Sequence, residues 1–292
     1  MGRKNSPLET VVHGIFLMFG LVTIGCVVLI TVYLLISGLP ALGQIGLREF
    51  FLGREWASTA TPPKFGILPF LLTSLWGTAG AIALGVPVGF LAAVYLAKAA
   101  SPRVRSVMGQ GVNLLAGIPS VVYGLVGMMV LVPGIRKLFG VADGASLLAA
   151  IVVLAVMILP SIIKLSVTAL EAVPEEYEAA SLALGATPVE TWFRVSVPAA
   201  KSGIAAAVVL GVGRALGEAM AVMMVSGNAP NLPGLLESVR FLTTAVSSEM
   251  AYASGLQQQA LFSIALVLFV FIMLINALLN GLLKGGKEGT SC

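Results

Sequence analysis

Arg214 and Glu218 stand four residues apart inside an otherwise apolar run at 204–226. On an α-helix that spacing puts both side chains on one face. A charge at membrane depth costs about 2.5–3.5 kcal/mol on insertion scales, so the pair must face protein or water. Two uses fit these residue types. One is an ion pair that neutralises itself and merely tolerates burial. The other is an oxyanion site, because guanidinium is always charged and its planar donor fork matches the oxygens of a phosphate or sulfate. In that use Glu218 holds Arg214 in place, neutralises it when no anion is bound, and keeps anion binding weak enough for release. It also offers an acceptor for the proton of a monohydrogen phosphate, a proton that sulfate lacks.

Ile118-Pro119-Ser120-Val121 and Leu159-Pro160-Ser161-Ile162 are similar helix-breaking tetrads in neighbouring apolar runs. Each proline removes a backbone donor and frees a carbonyl, and each serine can bond locally to repair the break. Either these are packing kinks, or Ser120 and Tyr123 line a pathway beside unwound backbone at Pro119. Lys164 lies within two turns of a polar loop, where its long stem snorkels to the interface. Gly211, Gly213 and Gly217 permit close helix approach, to a partner subunit or within this one. Met220, Met223 and Met224 read as adaptable core fillers.

Other chemistry is missing. There is no G-x-x-x-x-G-K-[ST] for ATP, no His/Cys cluster, no nucleophile elbow and no carboxylate dyad. The chain is therefore not expected to be an enzyme or to hold a cofactor or metal. His13 reads as a helix-end residue, and the two cysteines, Cys26 and Cys292, give neither a disulfide framework nor metal spacing. The basic residues form no stripe interleaved with aromatics, so no nucleic-acid partner is expected.

The elements that position these residues must be membrane helices. The chain is 58% hydrophobic and 10% charged, against roughly a quarter charged in a soluble domain, and its mean hydropathy is +1.01. Lipid is its solvent. Six runs are long enough to span at about 20 residues each, at 11–36, 67–97, 107–132, 146–167, 204–226 and 260–283. Each must be helical, since lipid offers the backbone no hydrogen-bond partner. The fold class is thus all-α and polytopic, with one transmembrane domain over 11–283. The first run is too long for a signal-peptide core and reads as a retained span. With the N-terminus inside, nine basic residues fall on the cytoplasmic side (Arg3, Lys4, Lys98, Arg103, Arg105, Arg194, Lys201, Lys284, Lys287) and six outside (Arg48, Arg54, Lys64, Arg136, Lys137, Arg240). That bias places both termini, 1–10 and 284–292, in the cytoplasm. The stretches 38–66 and 227–259 then become extracytoplasmic loops.

The cytoplasmic segment 171–203 has internal design. Pro174, Glu175 and Glu176 suit a first helical turn, and Gly185 suits the left-handed cap that ends it. Thr187-Pro188-Val189-Glu190 then makes a second N-cap with a capping-box glutamate. Val189, Trp192 and Phe193 fall at i, i+3 and i+4, which predicts an apolar knob facing a protein partner, closed by Pro198.

Gly185-Ala186-Thr187, the helix after it and the ending Val195-Ser196-Val197-Pro198 resemble the cytoplasmic "EAA" loop of ABC-importer permeases. One departure is visible: the family's glutamate position falls on Ala179, with Glu178 one residue earlier. The stretches GRALGEAMAVMMVSGN at 213–228 and GIPSVVYGL at 117–125 are similar to permease subunits of the phosphate-specific (Pst) importer, the PstC type in particular. The resemblance implies a permease fold, alternating access for inorganic phosphate, and a coupling role for the 171–203 loop, with Gly185, Ala186, Thr187, Trp192 and Phe193 seated on an ATPase. It also implies a second, PstA-type permease, two copies of the ATPase and an extracytoplasmic phosphate-binding protein. Family similarity adds Pro119, Ser120 and Tyr123 to Arg214 and Glu218 as pathway residues. The competing readings are a permease for phosphonate, sulfate or molybdate, an ion-coupled secondary transporter, and a membrane regulator that transports nothing. The secondary transporter calls for inverted repeats with matching broken helices, whereas both tetrads lie mid-chain.

Overall fold

A computed structural model of the chain describes residues 7–285. The expected terminal segments at 1–6 and 286–292, with Arg3, Lys4 and Lys287, lie outside the described residues.

Helix α1 (Pro7–Ile45) presents apolar side chains on all sides, among them Phe16, Leu21, Ile24 and Leu29. A helix that is apolar all round and exposed is in lipid. It continues well past the expected end at residue 36, and Pro40 is carried inside it. A short helix, α2 (Leu47–Leu52), and a two-stranded hairpin, β1 (Trp56–Ala57) with β2 (Lys64–Phe65), cover the 46–66 connection. Helix α3 (Leu68–Val94) ends in a wide π turn, Tyr95–Ala99. After α4 (Pro102–Gly117) come α5 (Ser120–Val126), a π turn at Gly127–Leu131 and α6 (Val132–Phe139). Helix α7 (Leu147–Glu171) starts from Ser146, whose hydroxyl caps the Ala149 amide. The small helices α8 (Glu175–Ala183) and α9 (Pro188–Thr191) lead through a π turn at Trp192–Ser196 and α10 (Val197–Ala199) into α11 (Lys201–Gly217). Helices α12 (Met220–Val225), α13 (Leu242–Glu249) and α14 (Gly255–Gly285) complete the order.

Among the described residues five helices are long and apolar enough to cross a membrane, or six if the bent unit from Pro188 to Gly217 counts as one span. The centre is α7, packed between α3 and α11. Small residues make that contact close: a Cβ at Gly85 would meet Ile158, and one at Gly89 would meet Ile162. On α11, Gly211 packs the same way against Ile162, while Gly213 and Gly217 face open space. Of the three glycines read from the sequence, one therefore serves packing inside the subunit. A second core joins α1, the hairpin, α13 and α14 around Phe50, Trp56, Phe70 and Leu261.

Two expected spans are interrupted. The run at 107–132 is split at Ile118-Pro119, where Ile118 is extended (φ −70°, ψ 127°), a conformation favoured because proline's ring disfavours the helical one for the residue before it. The long apolar stretch is 120–139 instead, and α4 is a separate helix. The run at 204–226 is split at Glu218, also extended (φ −74°, ψ 128°). By contrast the Leu159-Pro160-Ser161-Ile162 tetrad breaks nothing. Helix α7 runs through Pro160 and is packed between α3 and α11.

Candidate functional site

The two interrupted helices meet. Gly124 of α5 lies so close to α12 that a Cβ there would sit 2.8 Å from Ala221 Cα and 2.8 Å from Met224 Sδ. Each break is repaired locally. Tyr123 donates its hydroxyl to the Leu115 carbonyl at 2.6 Å, bridging the gap at Pro119. Glu218 Oε1 accepts the Ala221 amide at 3.0 Å, and its own carbonyl accepts Thr243 Oγ1 at 2.8 Å. Glu218 is thus the cap of α12.

That role corrects the expected i, i+4 pair. Once α11 ends at Gly217, residues 214 and 218 no longer share a helical face, and no ion pair joins them among the described residues. Arg214 instead donates from Nη1 to Ser161 Oγ of α7 over a long 3.5 Å. It lines a recess of about 650 Å³ together with Ser161, Leu210, Gly213 and Asn276. Ser161 is fourteen residues from one end of α7 and ten from the other, about 21 and 15 Å at 1.5 Å per residue. The guanidinium is therefore near the middle of the span, with the Ser161 hydroxyl and the Asn276 amide in the same lining and no carboxylate among the described residues there. Such a donor set suits an anion.

The larger recess, about 970 Å³, is walled mainly by apolar side chains such as Val126, Leu131, Val153 and Val156, with Tyr123 and Lys137 as its polar members. Of the five expected pathway residues, Arg214 alone lines the recess beside Ser161 and Asn276. Tyr123 faces the larger one, although its ring lies within range of the Arg214 charge. Ser120 opens α5 and Pro119 precedes it, exposed. Asn276 gave no sequence signal, being one amide in an apolar run.

The α8–α11 unit forms with the local chemistry expected of it. Gly185 adopts φ +88°, a conformation costly for residues with a Cβ. Thr187 and Glu190 complete the capping box, and the Thr187 amide and hydroxyl hold the Glu190 carboxyl below the usual glutamate range. The unit meets α11 at a 72° bend after Pro198. The apolar knob differs from expectation. Trp192 turns inward against Val94, Leu170, Val173 and Ala200. Trp192 and Phe193 are adjacent, about 100° apart around a helix, so seating one against the subunit turns the other out. The exposed apolar set is Tyr177, Leu182, Leu184, Val189 and Phe193, with Leu184 91% exposed.

Glu178, one residue from the position expected for a family glutamate, pairs with Lys98 at the end of α3 and accepts Ser196 Oγ at 2.8 Å. Burial works against its charge, but the bonds from Lys98 and Ser196 outweigh it and hold the carboxyl below its ordinary range. At the opposite end of the molecule, Glu249 accepts the Trp56 indole (3.1 Å), Arg240 Nη1 (2.5 Å) and Gln257 Nε2 (3.1 Å), locking the hairpin to α13 and α14. The contacts of Glu178 with Lys98 and of Glu249 with Trp56 span 80 and 193 residues, so local spacing gives no sign of either.

Residues 85–285 match the model of the family described as binding-protein-dependent transport system inner membrane component. The chain belongs to that family. It is a membrane permease subunit, and membership implies an ATPase and a substrate-binding protein as partners. Among curated relatives, a probable ABC transporter permease protein, YqgH of Bacillus subtilis (strain 168), is 39% identical over 94% of this chain and 93% of its own length. The phosphate transport system permease protein PstC of Mesorhizobium japonicum is 33% identical over 82% of this chain and 78% of its own. Its Haemophilus influenzae counterpart is 32% identical over 88% and 87%. The fold is similar to that of a permease chain in inward-facing crystals of the MetNI methionine ABC transporter, with TM-score 0.55 and 22% identity over 75% of this chain and 94% of that one. A chain of an amino acid ABC transporter also matches, with TM-score 0.52 and 18% identity over 75% and 92%.

Proposed function

We propose that this chain is the membrane subunit of an ATP-driven importer of inorganic phosphate, with Arg214 as the anion's mid-membrane station. The observation that carries the reading is a lone guanidinium at that depth in a largely apolar recess whose other polar lining residues are Ser161 and Asn276. The PstC relatives supply the substrate. A recess of about 650 Å³ is far larger than one tetrahedral anion, so binding there is weak and release is easy. With Glu218 engaged in capping α12, no carboxylate stands ready to accept a phosphate proton. Arg214, Ser161 and Asn276 therefore accept sulfate or phosphonate about as well, and choice of anion falls to the phosphate-binding protein that delivers it. Alternation between outward- and inward-open states is driven through the α8–α9 unit, whose exposed Leu184, Val189 and Phe193 seat on the ATPase. The assembly is this chain, a PstA-type permease, two ATPase copies and the extracytoplasmic binding protein, with both termini of this chain in the cytoplasm.

Reconstituting the complex with Arg214→Gln tests this. Phosphate uptake should fall to background while the ATPase still co-purifies. Uptake at the full rate would remove Arg214 from the pathway, and a preference for phosphate over sulfate that persists with a binding protein altered to accept both anions would return the choice of anion to the membrane subunit.

A further inference from the structure

Along the half of α7 nearer α8, Ser161, Lys164, Thr168 and Glu171 follow one another at spacings of three, four and three. That repeat lines one face of an α-helix. Apart from Ser166, which is buried, they are the only polar side chains of α7. Lys164, Thr168 and Glu171 are exposed, and charges left in hydrocarbon would cost about 2.5–3.5 kcal/mol each on insertion scales. This face is built for water or ions. It begins at Ser161, the partner of Arg214, and ends at the turn into α8.

Beside the stripe, α4 and α7 enclose a recess of about 400 Å³ lined by Arg105, Gly109, Asn113, Lys164, Thr168 and Glu171. Arg105 pairs with Glu171 and the two cancel. Lys164 makes no ion pair among the described residues, so its charge is the uncompensated one in the recess. Thr168 spends its hydroxyl proton on the Lys164 carbonyl at 3.0 Å, which leaves the Asn113 amide as the neutral donor. Lys164 is three residues from Ser161, about 4.5 Å along the axis, and seven from the end of α7, about 10 Å.

We propose that this recess is a second oxyanion subsite, with Lys164 supplying the charge and Asn113 a neutral donor for a phosphate-type anion. The proposal rests on reading Arg214 as the first station: the anion passes from Arg214 down the stripe to Lys164 before leaving. At this depth the same chemistry also suits the phosphate of a lipid headgroup. In both cases the ligand is a tetrahedral oxyanion.

Gly109 provides the probe, because it lines the recess and a Cβ there meets nothing within 4 Å. Gly109→Cys, with Cys26→Ser and Cys292→Ser, is placed in the assembled complex in nanodiscs and labelled with a small membrane-impermeant thiol reagent. In zwitterionic lipid, millimolar inorganic phosphate should slow labelling at least threefold while chloride at matched ionic strength does not. Lys164→Gln should abolish that protection and Lys164→Arg should retain it. Protection that instead requires anionic lipid, without added phosphate, assigns the subsite to a headgroup. A labelling rate indifferent to phosphate and lipid alike, or protection that survives Lys164→Gln, overturns the proposal. The readout is occupancy and not transport, so a harmless Arg214→Gln would end the transport reading without touching this result.

Discussion

Removing the Glu178 carboxylate should loosen the α8–α9 unit from the membrane helices by an amount that the geometry sets. The Lys98 and Glu178 side chains keep 12% and 23% of their surface, between two known regimes. Exposed pairs contribute about 0–1 kcal/mol, and breaking a fully buried pair costs about 3–5. Glu178 also accepts Ser196 Oγ at 2.8 Å, a bond to a charged group. An intermediate cost of about 2 kcal/mol follows for Glu178→Ala, and slightly less for Lys98→Ala, which leaves Glu178 its bond from Ser196 Oγ. Besides this pair α8, which has no buried residue, is tied by its side chains through the Ser181–Thr191 hydroxyl contact at 2.9 Å, which reaches only α9, so the loss should appear in α8 first. Hydrogen exchange on α8 amides reads it directly. At 1.36 kcal/mol per tenfold, about 2 kcal/mol is roughly a 30-fold fall in protection, with α7 amides as the unchanged control. The double variant should cost about 1–2 kcal/mol less than the sum of the singles. The Glu178 carboxyl is held below its ordinary range in the folded state, so this stabilisation is present at neutral pH and is lost as pH falls through that lowered value. Glu178→Gln should show no such acid loss. Additive single costs, or less than a twofold change in α8 exchange, would refute the view that this pair fastens the unit to α3.

Two other outcomes follow. Leu184→Ser with Phe193→Ser, both exposed, should reduce co-purification of the ATPase while leaving thermal unfolding unchanged; Trp192→Ala should do the reverse, costing about 2 kcal/mol, since its ring packs inside the subunit. Gly124→Val should destabilise by about 1–3 kcal/mol through overpacking, seen as a lower unfolding temperature in detergent, because its Cβ would sit 2.8 Å from the Ala221 backbone.

Sequence alone determined whatever depends on composition or on neighbours a few residues away. Lipid as the solvent follows from 10% charge. The Gly185 turn and the Thr187–Glu190 capping box follow from residue types within one turn of each other. Arg214 stands out because a guanidinium in an apolar run has few bland explanations. Tertiary structure decided the rest. Pro119 opens its helix and Pro160 does not, although their tetrads are similar; α7 is packed between α3 and α11, and the α4–α5 junction is not. Glu218 leaves Arg214 because capping α12 satisfies an amide that the break would otherwise strand. Trp192 turns inward because the ends of α3 and α7 offer it an apolar seat. In each case the deciding partner is many residues away in the chain, and only the packed fold brings it within a few ångströms.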